Sequence, residues 1–115
     1  MDATLHSASG LLDLAPEGEG GRPGVARALV GHGCRVVMFR FAAGQVLAEH
    51  TAAFPILVQC LSGSVEFVVG EQVVTLAAGA VANVDTRVRH EVRAVDGAVF
   101  QLVMLDPAAR PPGHA

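Results

Sequence analysis

A chain of 115 residues with 51% hydrophobic content suits one compact domain around a single core, and no second domain is needed. Its formal charge is -3, and its arginines are scattered along the chain, so it has no basic footprint for nucleic acid. Tyr, Trp and Lys are absent, which removes a phenol acid, an indole platform and a Schiff-base amine and leaves His, Asp, Glu and Cys as the chemical actors.

In chain order, residues 1–24 carry one apolar patch, Leu11-Leu12-Asp13-Leu14, and then a Pro/Gly-rich run from Pro16 to Gly24. This reads as an N-terminal arm followed by a flexible connector. Nine short runs rich in Val, Leu, Ile and Phe follow, bounded by glycine or polar turns, which is the all-β signature. The strands predicted are 25–30, 34–41, 45–51, 56–61, 64–69, 72–76, 80–84, 88–95 and 98–105. Ser62-Gly63, Gly70-Glu71 and Asp96-Gly97 are expected to be tight hairpin turns, and antiparallel pairing follows from them. Residues 107–115 read as a poorly ordered tail, so the plan is arm (1–24), β domain (25–106) and tail.

Alternation sets the direction of the histidines. Val88, His90, Val92 and Ala94 share one face against Arg89, Glu91 and Arg93, so His90 points inward. His50 shares a face with Ala48 and Ala52, and these apolar partners turn it inward as well. In the strand after it, Ile56, Val58 and Cys60 share the interior phase; Gln59 lies opposite unless a bulge intervenes.

Two glycine-led stretches carry these histidines. The first runs from Gly44 through His50, Ala52 and Ile56 to Gly63; the second runs from Gly79 through Asp85, Arg87 and His90 to Ala94. Together they resemble the two cupin motifs, G(x)5HxH(x)3,4E(x)6G and G(x)5PxGxxH(x)3N. The glycines and outer histidines hold the motif spacing. Ala52 stands at the second histidine of HxH, Ile56 at the glutamate, Asp85 at the proline, Arg87 at the second glycine and Ala94 at the asparagine. The resemblance spans residues 36–105 and implies a small single-domain, RmlC-like cupin: an antiparallel jelly-roll barrel, or double-stranded β-helix.

What the resemblance implies for chemistry is thinner. Cupin metal sites use both histidines of HxH, the glutamate and the histidine of motif two, and only His50 and His90 match. A catalytic transition metal usually keeps three protein ligands and an open position. Cys60, or Gln59 if the strand is bulged, is the candidate third ligand for a divalent transition metal; otherwise the two histidines are core residues bonded to each other, to backbone or to water.

Two functions compete on this basis. In the first, a binding module holds a small organic molecule in the barrel with His50, His90, Cys60 and Gln59 as polar contacts. In the second, a metal-dependent oxygenase, hydrolase or isomerase completes its coordination with Cys60, water or substrate. A cupin sugar epimerase would want a Tyr acid, and a regulator's sensor half would need a separate DNA-binding partner. Arg87 lies near the expected pocket mouth and is a candidate contact for an anionic ligand.

Only Cys34 and Cys60 are present, with no secretory pattern at the N-terminus and no apolar run near the about 18 residues that cross a bilayer, so a reduced cytoplasmic protein is expected. Strands 34–41 and 98–105 are apolar on both faces. A homodimer is therefore expected, with 11–14 as an arm that adds an edge strand to the partner; the alternative is that the second sheet and the arm cover both faces within one chain.

Overall fold

The structure, a computed structural model, describes residues 5–112; the ends of the expected arm and tail, 1–4 and 113–115, lie outside the described residues. Nine strands form: β1 (Gly24–Gly31), β2 (Cys34–Phe41), β3 (Val46–His50), β4 (Ile56–Ser62), β5 (Ser64–Val69), β6 (Gln72–Ala77), β7 (Val81–Val84), β8 (His90–Ala94) and β9 (Ala98–Met104). Each sits where the alternation of apolar residues predicts it, with ends displaced by at most two residues.

The strands make two antiparallel sheets, one ordered β1-β2-β9-β4-β7 and the other β3-β8-β5-β6. Between them Phe39, Phe41, Ile56, Val58 and Phe100 of the larger sheet meet Val65, Phe67, Leu76 and Val92 of the smaller. Phe41 and Phe100 pack edge to face, with centroids 6.3 Å apart, a geometry that aromatic quadrupoles favour. Phe39, Phe41, Phe67 and Phe100 are thus core residues, and Met38 is buried on the outer face of the larger sheet.

Only one of the three expected hairpin turns closes a hairpin. Gly70-Glu71 joins β5 to β6, with Val69 opposite Gln72. The turns at Ser62-Gly63 and Asp96-Gly97 instead carry the chain from one sheet to the other, since β4 and β9 belong to the larger sheet and β5 and β8 to the smaller. These two crossings touch. Gly63 has φ 72°, and a Cβ there would lie 2.1 Å from the Gly97 carbonyl oxygen, so both backbone conformation and space require glycine.

The arm also differs from its expected form. Residues Leu11–Leu14 make a single helical turn, α1, rather than a strand. It lies against the chain's own outer face, where Leu11 and Ala15 pack with the buried Met38 and Val99. Arg40 fastens it by donating to the carbonyls of Ala15 (2.8 Å) and Leu12. The apolar second face of β2 and β9 is therefore covered in part within one chain. The segment after β9 packs too: Ala109 is fully buried and accepts from Gly33 N (3.0 Å), and the buried Asp106 carboxylate pairs with Arg35 at 3.2 Å. Residues 106–110 are thus anchored where a loose tail was expected. No helix among the described residues is long and apolar enough to cross a membrane.

Candidate functional site

His50 and His90 meet. Their Nε2 atoms are 3.1 Å apart and their rings are inclined at 65°. His90 arrives by regular alternation: His90, Val92 and Ala94 are buried, while Glu91 and Arg93 form an ion pair on the outer side. His50 arrives through a bulge. Leu47 pairs with Val92 and His50 with His90, so three steps along β3 match two along β8. The extra residue turns both Leu47 and His50 toward the interior and leaves Ala48 and Glu49 exposed. The inward direction of His50 therefore does not come from sharing a face with Ala48, as strict alternation suggests.

Backbone carbonyls fix Nδ1 as a hydrogen-bearing nitrogen in both rings. His50 Nδ1 lies 2.8 Å from the Ala48 carbonyl oxygen, and His90 Nδ1 lies 2.9 Å from that of Val88. A carbonyl can only accept, so each Nδ1 carries the hydrogen and donates it. In the neutral rings both Nε2 atoms are then bare lone pairs, facing one another with no hydrogen between them. Burial pushes the His90 imidazole below its usual pKa; the Val88 carbonyl opposes this, and charge on His50 adds to it. The Phe67 ring stacks on His90, centroids 5.8 Å apart and planes within 18°. Outside, Arg89 bridges to Glu49 (3.0 Å) across the same two strands, and Arg87 N donates to Ala52 O (2.9 Å), joining the two motif loops.

The other expected site residues do not join this pair. Gln59 stays on the outer face of β4, because the register runs regularly from Ile56 to Cys60, and its amide reaches toward Gly79 O (3.4 Å). Cys60 faces the core, but its thiol is directed to the Ser62 and Gly63 carbonyls (3.3 and 3.4 Å), and burial raises its pKa, so it is a protonated, inert thiol. Arg87 adopts φ 60°, the left-handed conformation that the cupin motif assigns to glycine, and its side chain is exposed.

The donor set falls short of a metal site. Two ligands at about 2.0–2.1 Å from one ion, roughly at right angles, have nitrogens ~3 Å apart, as these do. Yet Ala52 and Ile56 offer no donor, and no group of three or more His, Cys, Asp or Glu among the described residues is placed to hold an ion. The set does not fit a resident catalytic metal.

One space is bordered by His50 and another by neighbours of His90. A groove of about 600 Å³ runs along β3, between that strand and the connector, with His50, Leu47, Val46 and Val25 among its walls. A smaller cavity of about 230 Å³ opens beside Phe67 and Val88, the residues that stack on His90 and accept its hydrogen. The groove is the feature that sequence reasoning missed. It exists because the connector is tied down by Val46 N to Gly21 O (2.9 Å) and by the buried Gln45, which donates to Gly20 O (3.0 Å). Gly/Pro-rich composition carries no sign of such non-local bonds.

No family model matches the chain, and no curated protein matches it. Solved structures do. An RmlC-like cupin protein from Desulfovibrio desulfuricans is 25% identical, with a TM-score of 0.77 over 88% of this chain and 97% of that one. An uncharacterized conserved protein with a double-stranded β-helix domain from Klebsiella pneumoniae is 20% identical, with a TM-score of 0.75 over 94% of each chain. A cupin superfamily protein from Desulfitobacterium hafniense, 16% identical, has a TM-score of 0.71 over 79% of this chain and 84% of that one. With two antiparallel sheets of this order and both histidine motifs on facing positions of β3 and β8, the chain is a cupin in fold, an RmlC-like double-stranded β-helix.

Proposed function

We propose that this cupin-fold protein binds a small organic molecule and uses His50 and His90 as the polar anchors. The observation that carries the reading is the Nε2 pair: two ring nitrogens 3.1 Å apart, each ring held by a carbonyl on its other nitrogen, so that as neutral rings they offer each other no hydrogen. A buried polar atom left without a partner costs about 1–3 kcal/mol, so a donor arriving from a ligand is rewarded. The apolar walls beside it supply the remaining affinity. A fragment screen read by NMR of the imidazole resonances tests this: ligands that move both His50 and His90 are expected, and His50→Ala should abolish their effect. Hits that bind while leaving both rings unmoved would contradict it.

A second reading, a metal-dependent enzyme, has only the Nε2 separation in its favour and would need substrate or water to supply the donors that Ala52 and Ile56 lack. Metal analysis of the untagged protein separates the two: the binding reading expects weak, substoichiometric divalent ions, and full occupancy that is lost in His50→Ala supports the enzyme.

A homodimer is proposed as well. With Met38 and Val99 covered by the arm, it rests on the rest of the same outer face of the larger sheet, toward β7, where Leu57 and Val81 are 38% and 60% exposed. Sedimentation equilibrium decides, a clean monomer mass being the contrary result. Both cysteines are free, which suits a reducing cytoplasm.

A further inference from the structure

At its N-terminal end the arm is docked inside out. From Leu5 to Gly10 only His6 turns in, while the apolar Leu5 is 83% exposed. Docking driven by apolar contact would bury the leucine and leave the imidazole in water. Nε2 of His6 is moreover the one buried side-chain polar atom among the described residues that has no hydrogen-bond partner. An orphaned buried nitrogen costs about 1–3 kcal/mol, and a bound ion is one of the few groups that removes such a deficit.

The neighbouring ring is His32. The two ring centres are 5.6 Å apart and the planes are tilted at 50°. Two imidazoles that each place a nitrogen about 2.0–2.1 Å from one tetrahedral ion have centres roughly 5 Å apart, so small rotations bring these two onto a shared ion. His32 stands in the turn between β1 and β2, and the next residue, Gly33 at φ 81°, donates its N–H to the buried Ala109 (3.0 Å). We infer that His6 and His32 bind a divalent transition metal ion of the zinc, nickel or copper class, which staples the arm to this anchored turn. Imidazole suits such ions. Cys34 stays out of the set, its thiol lying beside Gly31 where a side chain would otherwise stand, and no third His, Cys, Asp or Glu among the described residues joins it. Water therefore fills the other positions. It has access, because His32 is exposed and a cavity of about 470 Å³ flanks His6 between β1 and Pro111, whereas the sealed His90 allows the inner pair no such shell. Two protein ligands make the ion exchangeable, a clip rather than a closed structural centre.

The test titrates the full, untagged chain with zinc chloride near neutral pH, read by calorimetry and by NMR of the imidazole carbons. One ion per chain is expected, shifting His6 and His32 together and slowing amide exchange across residues 5–10 severalfold. Removing a group that merely supports a metal ligand costs roughly 10–100-fold in affinity, so loss of a ligand itself should cost at least about tenfold in His6→Ala and in His32→Ala. Neither side chain is in the core, so both variants should fold. Zinc should raise the melting temperature of the native chain and leave that of the two variants unmoved, while Cys34→Ser should bind as the native chain does. Zinc that shifts only one of the two rings, or that binds either histidine variant as tightly as the native chain, overturns the staple. A loss in Cys34→Ser equal to that in the histidine variants overturns the two-imidazole set. Zinc that shifts only His50 and His90 also overturns the staple, and it would support the metal reading of the inner pair instead.

Discussion

Strands β3 and β8 deliver one histidine each to the same point, and they hold it differently. β8 lies inside its sheet, between β3 and β5, and alternates without interruption; its histidine is sealed against Phe67. β3 is an edge strand of that sheet, broken by a bulge, and its histidine is half-buried at the border of a groove. One imidazole is thus part of the core and the other is the accessible half of the pair. In a binding site this division is useful: the sealed ring stays neutral and fixed, while the edge ring meets the ligand.

Truncating each ring breaks the comparison most strongly. His90→Ala removes a buried, stacked ring and leaves the Val88 carbonyl without its donor, so it should cost about 3 kcal/mol in urea unfolding, whereas His50→Ala should cost ~1 kcal/mol. Equal losses would mean that the edge ring is as structural as the sealed one.

Acid sharpens the same contrast. Because burial depresses the folded pKa of His90, the unfolded chain takes up the proton first as pH falls below its ordinary value near 6.5. Stability is therefore full above that pH and declines below it toward the folded pKa, by at most about 1.4 kcal/mol per pH unit for one proton. The His90→Phe variant should lose this part of the slope.

The smallest effect lies in the loop that joins the two strands' approaches. Arg87 holds φ 60° where L side chains are strained, so Arg87→Gly should raise stability by about 0.5–1 kcal/mol without moving either histidine. A destabilised variant would show that the guanidinium makes a compensating bond.

Local periodicity explains how much was legible. The nine strands, the inward phase of His90 and the outward phase of Gln59 all follow from a repeat of two within a few residues. Gly63 was visible as a turn, but its close approach to Gly97 belongs to two segments that are distant in sequence. The same holds for the bulge at 47–50, the docking of α1 on Met38 and Val99, and the bonds that fold the connector over β3. Each depends on a partner that no local pattern names. Cys60 shows the converse: its interior phase was readable, yet the turn that captures its thiol was not.

Two bare acceptors facing one another are the centre of the proposed site. Nitrogen-15 NMR of the imidazole rings in the ligand-free protein, just above neutral pH, reads this directly. In the neutral ring of each histidine, His50 and His90, the hydrogen should sit on Nδ1 and Nε2 should be unprotonated. A hydrogen on Nε2 of either ring would give the pair an internal hydrogen bond, leave no demand for a donor from a ligand, and contradict the proposed role of the site.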